Sequence, residues 1–162
     1  MTTERRRLDQ VLAEDFLGGI DVADGEEIER RRILAREVEN ELSYYRRIVH
    51  GRMDLIRFEM RRRSGEETRS IVEALPQILA DPDRPPSTRS RYVPADLPPL
   101  PDVGRRPIDH LLGDDVLTRL DEIDDEGLAA ALEDLDEMER ELSRQRKAVQ
   151  HVVDSLAAAL DG

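Results

Sequence analysis

The sequence predicts an all-α chain, an antiparallel two-helix coiled-coil hairpin with a long Pro-rich connector and short accessory helices. Three observations predict it. Apolar residues recur every seven positions in two separate stretches, Ile28, Ala35, Leu42, Val49 and Ile56, then Leu128, Leu135, Leu142, Val149 and Leu156. That step is the signature of a seam between long helices. Eight of the nine prolines lie between Pro82 and Pro107, which rules out regular helix there and separates the two stretches. Charged residues make up 38% of the chain and aromatics 3%, too few large apolar groups for a thick globular core.

The elements follow in order. Residues 1–23 read as an amphipathic segment in which Leu8, Val11, Leu12, Phe16 and Leu17 recur at helical spacing until Gly18-Gly19 stops it. Residues 24–64 form the first coiled-coil helix. Asp24 with Glu27 three residues on reads as a capping box, Val38, Tyr45, Met53 and Met60 accompany the seam, and Ser64-Gly65 ends the helix. Residues 65–123 hold a short helix from about Glu66 to Leu79, interrupted by Pro76, then the Pro-rich connector and a turn or two of helix within 108–123. Residues 124–162 form the second coiled-coil helix, with Ala131, Met138, Val152 and Ala159 beside the seam and Gln145 as a polar exception.

Composition excludes several kinds of chemistry. There is no cysteine and there are three histidines, so no metal site is expected. No apolar run approaches ~20 residues, so no membrane span is expected. No apolar stretch follows the basic residues of 1–7, so no signal peptide is expected and a cytoplasmic location is. A net charge of −12 argues against direct DNA binding, which needs a cationic face. Residues 108–162 carry 16 acids against 5 basic groups, a balance that suits a basic protein partner or simply a solvated surface.

The polar residues of the two long helices repeat at an offset of 100. Glu39, Ser43, Arg46, His50 and Asp54 in the first correspond to Glu139, Ser143, Arg146, Gln150 and Asp154 in the second. At about 100° per residue each set forms a stripe ~80° wide and ~22 Å long beside the seam. Seam residues repeat for packing alone, but the polar matches need another reason. Arginine can donate two hydrogen bonds to the O6 and N7 edge of guanine. Aspartate can accept from the opposite edge, and serine, glutamine or histidine can donate to phosphate or ribose oxygens. Each glutamate, seven residues before the arginine of its own helix, is a candidate to orient that guanidinium. Both arginines lie near mid-helix, so antiparallel pairing brings the stripes level about a pseudo-twofold axis. A cyclic dinucleotide with two guanines has the same symmetry. The bland alternative is that Glu, Arg and Gln are ordinary exposed flanks, supporting the helices through i,i+3 and i,i+4 pairs. Ser43, His50 and Asp54 do not make a catalytic triad, because Ser43 and His50 lie ~10 Å apart along the axis. No enzymatic activity is expected.

The pattern Glu-x3-Ser-x2-Arg-x3-Gln-x3-Asp resembles the cyclic di-GMP signature of RsiG-type anti-sigma factors of actinobacteria. Residues 139–154 match it throughout, and residues 39–54 match at four of five positions, with His50 in place of Gln. The stretch from Leu42 to Asp54 also resembles the family's first helix. The resemblance implies that these ten residues bind cyclic di-GMP, as an intercalated dimer, and that the nucleotide helps sequester a WhiG-type sigma factor. It also implies a role in sporulation and development. At His50 it implies an altered contact, since imidazole is shorter than the Gln side chain. The competing expectation is a ligand-independent coiled-coil adaptor.

Overall fold

A computed structural model describes residues 3–78, 80 and 119–162. The expected connector, and with it the turn that would complete a hairpin, lies outside these residues. So do His110 and most of the stretch 108–123. The described residues contain helices and no strand. Helix α1 spans Thr3–Val11, α2 Gly25–Ser64, α3 Ile71–Ile78 and α4 Asp125–Asp161, with a 3-10 turn at Leu120–Glu122 before α4. The chain divides into two compact units, Met1–Arg46 with Glu139–Gly162, and Arg47–Met138. Both long helices contribute to each unit.

In the first unit the seam is built as its spacing predicts. Ile28, Ala35, Val38, Leu42 and Tyr45 of α2 are buried, as are Leu142, Val149, Val152 and Leu156 of α4. Gln145 and Ala159 are half-buried. Helix α1 is shorter than the apolar spacing suggests. It ends at Val11, and the chain continues through turns in which Phe16 N–H donates to Ala13 and Gly18 N–H to Asp15. Val11 and Phe16 are buried, but Leu12 is exposed. Arg31 secures this segment from α2 by donating to the carbonyls of Phe16 and Gly18, both at 2.9 Å. The cap of α2 is half of the expected box. Asp24 Oδ1 accepts the Glu27 N–H at 2.8 Å, while the Glu27 carboxylate turns to Arg30 and Arg31. Those two arginines hold its carboxyl below the ordinary value.

The second unit contains α3, the 3-10 turn, the C-terminal part of α2 and the N-terminal part of α4. Helix α2 stops at Gly65, which has φ +82°, a left-handed conformation that only glycine adopts without cost. Glu66 N–H then reaches back to Arg61 and Gly65 N–H to Arg62, closing the last turn in a Schellman motif. Helix α3 starts later than predicted. Its capping box is Ser70 with Glu73: Glu73 N–H donates to Ser70 Oγ, and Ser70 N–H donates to the Glu73 carboxylate. Pro76 lies inside α3 rather than breaking it. The i−4 residue that loses a hydrogen bond there is Val72, which is 75% exposed and can be hydrated. At the start of α4, Asp124 Oδ1 caps the N–H of Gly127 at 2.8 Å. A Cβ on Gly127 would come within 2.7 Å of Ile123 Cγ2, so the first turn requires glycine.

The heptad pattern does not reveal a second buried stripe on α2. Leu55, Phe58 and Glu59 are buried alongside the seam residues Val49, Met53 and Ile56 of α2 and Leu128, Ala131 and Leu135 of α4, with Ala74 and Leu120 added from outside the two long helices. Among the described residues Glu59, 2% exposed, is the one charged residue that is buried. Its carboxylate accepts from Arg62 at 2.8 and 2.9 Å and from Arg63 at 2.7 Å. Arg63 extends the network to the carbonyls of Leu120 and Ile123 and to Asp125, which ties the end of α2 to the entry of α4. Hydrogen bonding from Arg62 lowers the Glu59 pKa; burial opposes this and Arg63 reinforces it.

Because its carboxyl titrates below the unfolded value in the folded chain, Glu59 stabilises the fold above about pH 4.5, and that contribution disappears as pH falls through the lowered value. Glu59→Gln should therefore cost about 2 kcal/mol at pH 7. This is less than a fully buried pair would lose, because both arginines keep access to water. The deficit relative to wild type should shrink as pH falls below about 4.5. Urea unfolding followed by circular dichroism from pH 3 to 7 measures both effects, and a deficit that grows in acid would contradict them.

Candidate functional site

The repeated polar residues of the first unit share α2 and α4 with the buried seam residues Leu42, Tyr45, Leu142 and Val149. Each α-helical turn places Ser four residues after Glu, so Ser43 Oγ donates to Glu39 at 3.1 Å and Ser143 Oγ to Glu139 at 2.8 Å. The arginines cross between the helices. Arg46 Nε donates to Glu139 Oε1 at 2.9 Å and to Ser143 Oγ at 2.9 Å. Arg146 Nε donates to Glu39 Oε1 at 3.1 Å and to Ser43 Oγ at 2.9 Å. Higher numbers on α2 thus meet lower numbers on α4, so the helices run antiparallel within this unit.

This geometry corrects one expectation. Glu39 holds the guanidinium of Arg146, not that of Arg46, and Glu139 holds that of Arg46. Seven residues along a helix is ~10 Å of rise, a long reach for two side chains, whereas the facing helix presents its arginine at hydrogen-bonding distance. The result is two equivalent three-residue clusters, Glu39–Ser43–Arg146 and Glu139–Ser143–Arg46. In each, the serine donates to the glutamate of its own helix and accepts from the arginine of the other.

The clusters are open to solvent on one side. The side chains of Arg46 and Arg146 are 32% and 33% exposed, and those of Glu139 and Glu39 are 19% and 22% exposed. The described bonds of both arginines use Nε, so their terminal nitrogens are donors that these bonds do not occupy. One and two turns beyond Arg146, Gln150 and Asp154 are exposed on α4. His50 and Asp54 belong to the second unit, where His50 is half-buried and Asp54 accepts from Arg57 at 3.3 Å. Lys147 is exposed.

One feature beside the site had no sequence signal. Arg7 of α1 pairs with Glu37 and with Glu41 at 2.8 Å, on the flank of α2 next to Glu39. An i,i+4 pair of glutamates was visible in the sequence, but nothing marked Arg7 as the residue that would meet it. Among the described residues no group of three or more His, Cys, Asp or Glu is arranged to hold a metal, and no helix is long and apolar enough to cross a membrane.

If the crossed pairs fix the alignment of α2 with α4, Arg46→Ala and Arg146→Ala should destabilise the chain equally. The expected cost is about 1 kcal/mol each, the scale of half-exposed ion pairs. The loss should fall in 1 M salt, where screening weakens the wild-type pairs. Urea unfolding at low and high salt tests this, and unequal or salt-independent losses would contradict it.

No curated protein and no solved structure matches the chain. Residues 15–79 match the model of the RsiG-like family, a stretch that contains all of α2 with Glu39, Ser43, Arg46, His50 and Asp54. Over that stretch the chain is similar to the RsiG-like family, and the match supports an RsiG-type anti-sigma factor.

Proposed function

We propose that the chain is an anti-sigma factor that binds cyclic di-GMP and, with it, holds a WhiG-type sigma factor away from transcription. The binding residues are Glu39, Ser43, Arg46, His50 and Asp54 together with Glu139, Ser143, Arg146, Gln150 and Asp154. The observation that carries the reading is the pair of equivalent Arg–Glu–Ser clusters. A ligand made of two identical guanine nucleotides can meet the same donors and acceptors twice. The terminal nitrogens of each arginine suit the O6 and N7 edge of guanine. His50 and Asp54 are assigned through the repeated motif alone.

Charge supports a role for a third component. An intercalated dimer of cyclic di-GMP brings four negative charges to a protein of net charge −12. Arg46 and Arg146 are already partly neutralised by glutamates, so a basic protein surface closing over the nucleotides would offset the remainder. The nucleotide would then hold two proteins together rather than act on either alone. The chain in this reading is a cytoplasmic regulator of development, not an enzyme, and it binds neither DNA nor membrane.

The second reading is a ligand-independent adaptor. One observation favours it: both clusters hydrogen-bond across the two helices and would serve to align them without any nucleotide.

Calorimetry with cyclic di-GMP, with and without a WhiG-type sigma factor, separates the two. The proposal expects nucleotide-dependent complex formation. It also expects Arg146→Ala and Asp154→Ala each to weaken that complex by about 10- to 100-fold, the cost of losing one good base contact. Absence of any nucleotide effect on the wild-type chain or its complex favours the adaptor. Wild-type affinity in both variants refutes the site assignment.

A further inference from the structure

We infer that Glu39 and Ser43 are positioning residues for Arg146, and Glu139 and Ser143 for Arg46, so that each guanine reader is assembled from both helices. The inference rests on the nucleotide reading above and extends it to how the halves of the site depend on one another. The motif, read along one helix, describes five side chains acting together. The structure divides them differently, because the glutamate and serine of each motif copy serve the arginine of the other copy.

The physical argument starts at Nε. A guanidinium is planar, so fixing the direction of its Nε–H fixes the plane and the direction of its terminal nitrogens. Each Nε has two acceptors on the opposite helix within 3.1 Å, a carboxylate oxygen and a serine oxygen. The serine hydroxyl spends its proton on the glutamate of its own helix, at 3.1 Å for Ser43 and 2.8 Å for Ser143. That orders the hydroxyl and turns a lone pair toward the incoming Nε–H. The glutamate contributes charge and the serine contributes direction. A ligand meeting this arginine finds its donors already oriented, which removes part of the ordering cost from binding.

The coupling this creates differs from that of two independent half-sites. A change at Glu39 should damage recognition by Arg146, on the other helix, and leave recognition by Arg46, seven residues along its own helix, intact. A merely structural role for Glu39 would not discriminate between the two arginines.

A double-mutant cycle on the full chain tests this. The readout is displacement of a fluorescent cyclic di-GMP analogue in the presence of the sigma factor, so that weak variants remain measurable. Glu39→Gln alone should weaken binding by about tenfold, the scale of losing one charge-assisted hydrogen bond. In an Arg146→Ala background the same change should cost less than about twofold, and in an Arg46→Ala background it should cost its full tenfold. Ser43→Ala should follow the same pattern at smaller amplitude, and Ser43→Thr, which keeps the hydroxyl, should restore binding. Circular dichroism of each variant confirms that the helices persist. An equal penalty in both arginine backgrounds, or one that vanishes with Arg46→Ala instead, overturns the crossed assignment while leaving the nucleotide reading in place. A wild-type chain and complex that do not bind the analogue overturn both.

Discussion

The first unit depends on an exchange of ion pairs: each long helix offers an arginine that only the other helix satisfies. Hydrophobic burial of Leu42, Tyr45, Leu142 and Val149 supplies most of the driving force for packing α2 against α4 within that unit, but it specifies alignment poorly. A seam that repeats every seven residues looks much the same after a shift of one heptad. The crossed clusters do not. Sliding α4 by seven residues would carry Arg146 about 10 Å away from Glu39 and Ser43 and take from both half-buried carboxylates the arginine of the facing helix. The polar contacts thus select one alignment among several that the apolar residues would accept.

In the second unit the same kind of chemistry is used for a different purpose. Glu59 is buried in this unit, and Arg62 and Arg63, one turn further along α2, favour its charged form. Arg63 then reaches the carbonyls of Leu120 and Ile123. The Leu120 carbonyl also accepts the Ile123 N–H at 3.4 Å, so Arg63 adds a second donor to the 3-10 turn. A single carboxylate therefore organises two arginines, and one of these organises the entry to α4. Just past the end of α2, Glu67 is held in the same manner by Arg69, first through its side chain and then through its backbone, and its carboxyl is pushed down to about 2.

Legibility in the sequence followed the physics of each feature. Asp24 could be read as a cap and Gly65 as a stop because both act on neighbours within a few residues. The seam could be read because burial imposes a period. The order Glu, Ser, Arg could be read as a repeated polar stripe for the same reason. What stayed hidden was pairing between distant parts of the chain. Helical spacing relates Glu39 to Arg46 but carries no information on Arg146, one hundred residues away. Phe58 and Glu59 fell outside the heptad stripe, and a glutamate beside Arg61, Arg62 and Arg63 reads as surface charge until its surroundings are known. Leu12 continued the apolar pattern of α1, but the segment turned before it, secured by Arg31 from another helix.

The tether at Arg63 also bears on how much change this chain tolerates. Ser70 and Ile71, where α3 begins, line the same cavity as Leu120 and Asp121, just before α4. The start of α3 and the entry to α4 thus meet at one place in this unit, and Arg63 fixes that entry from the end of α2. A substitution at Arg63 should therefore be tolerated poorly, because one side chain serves both the end of one helix and the start of another.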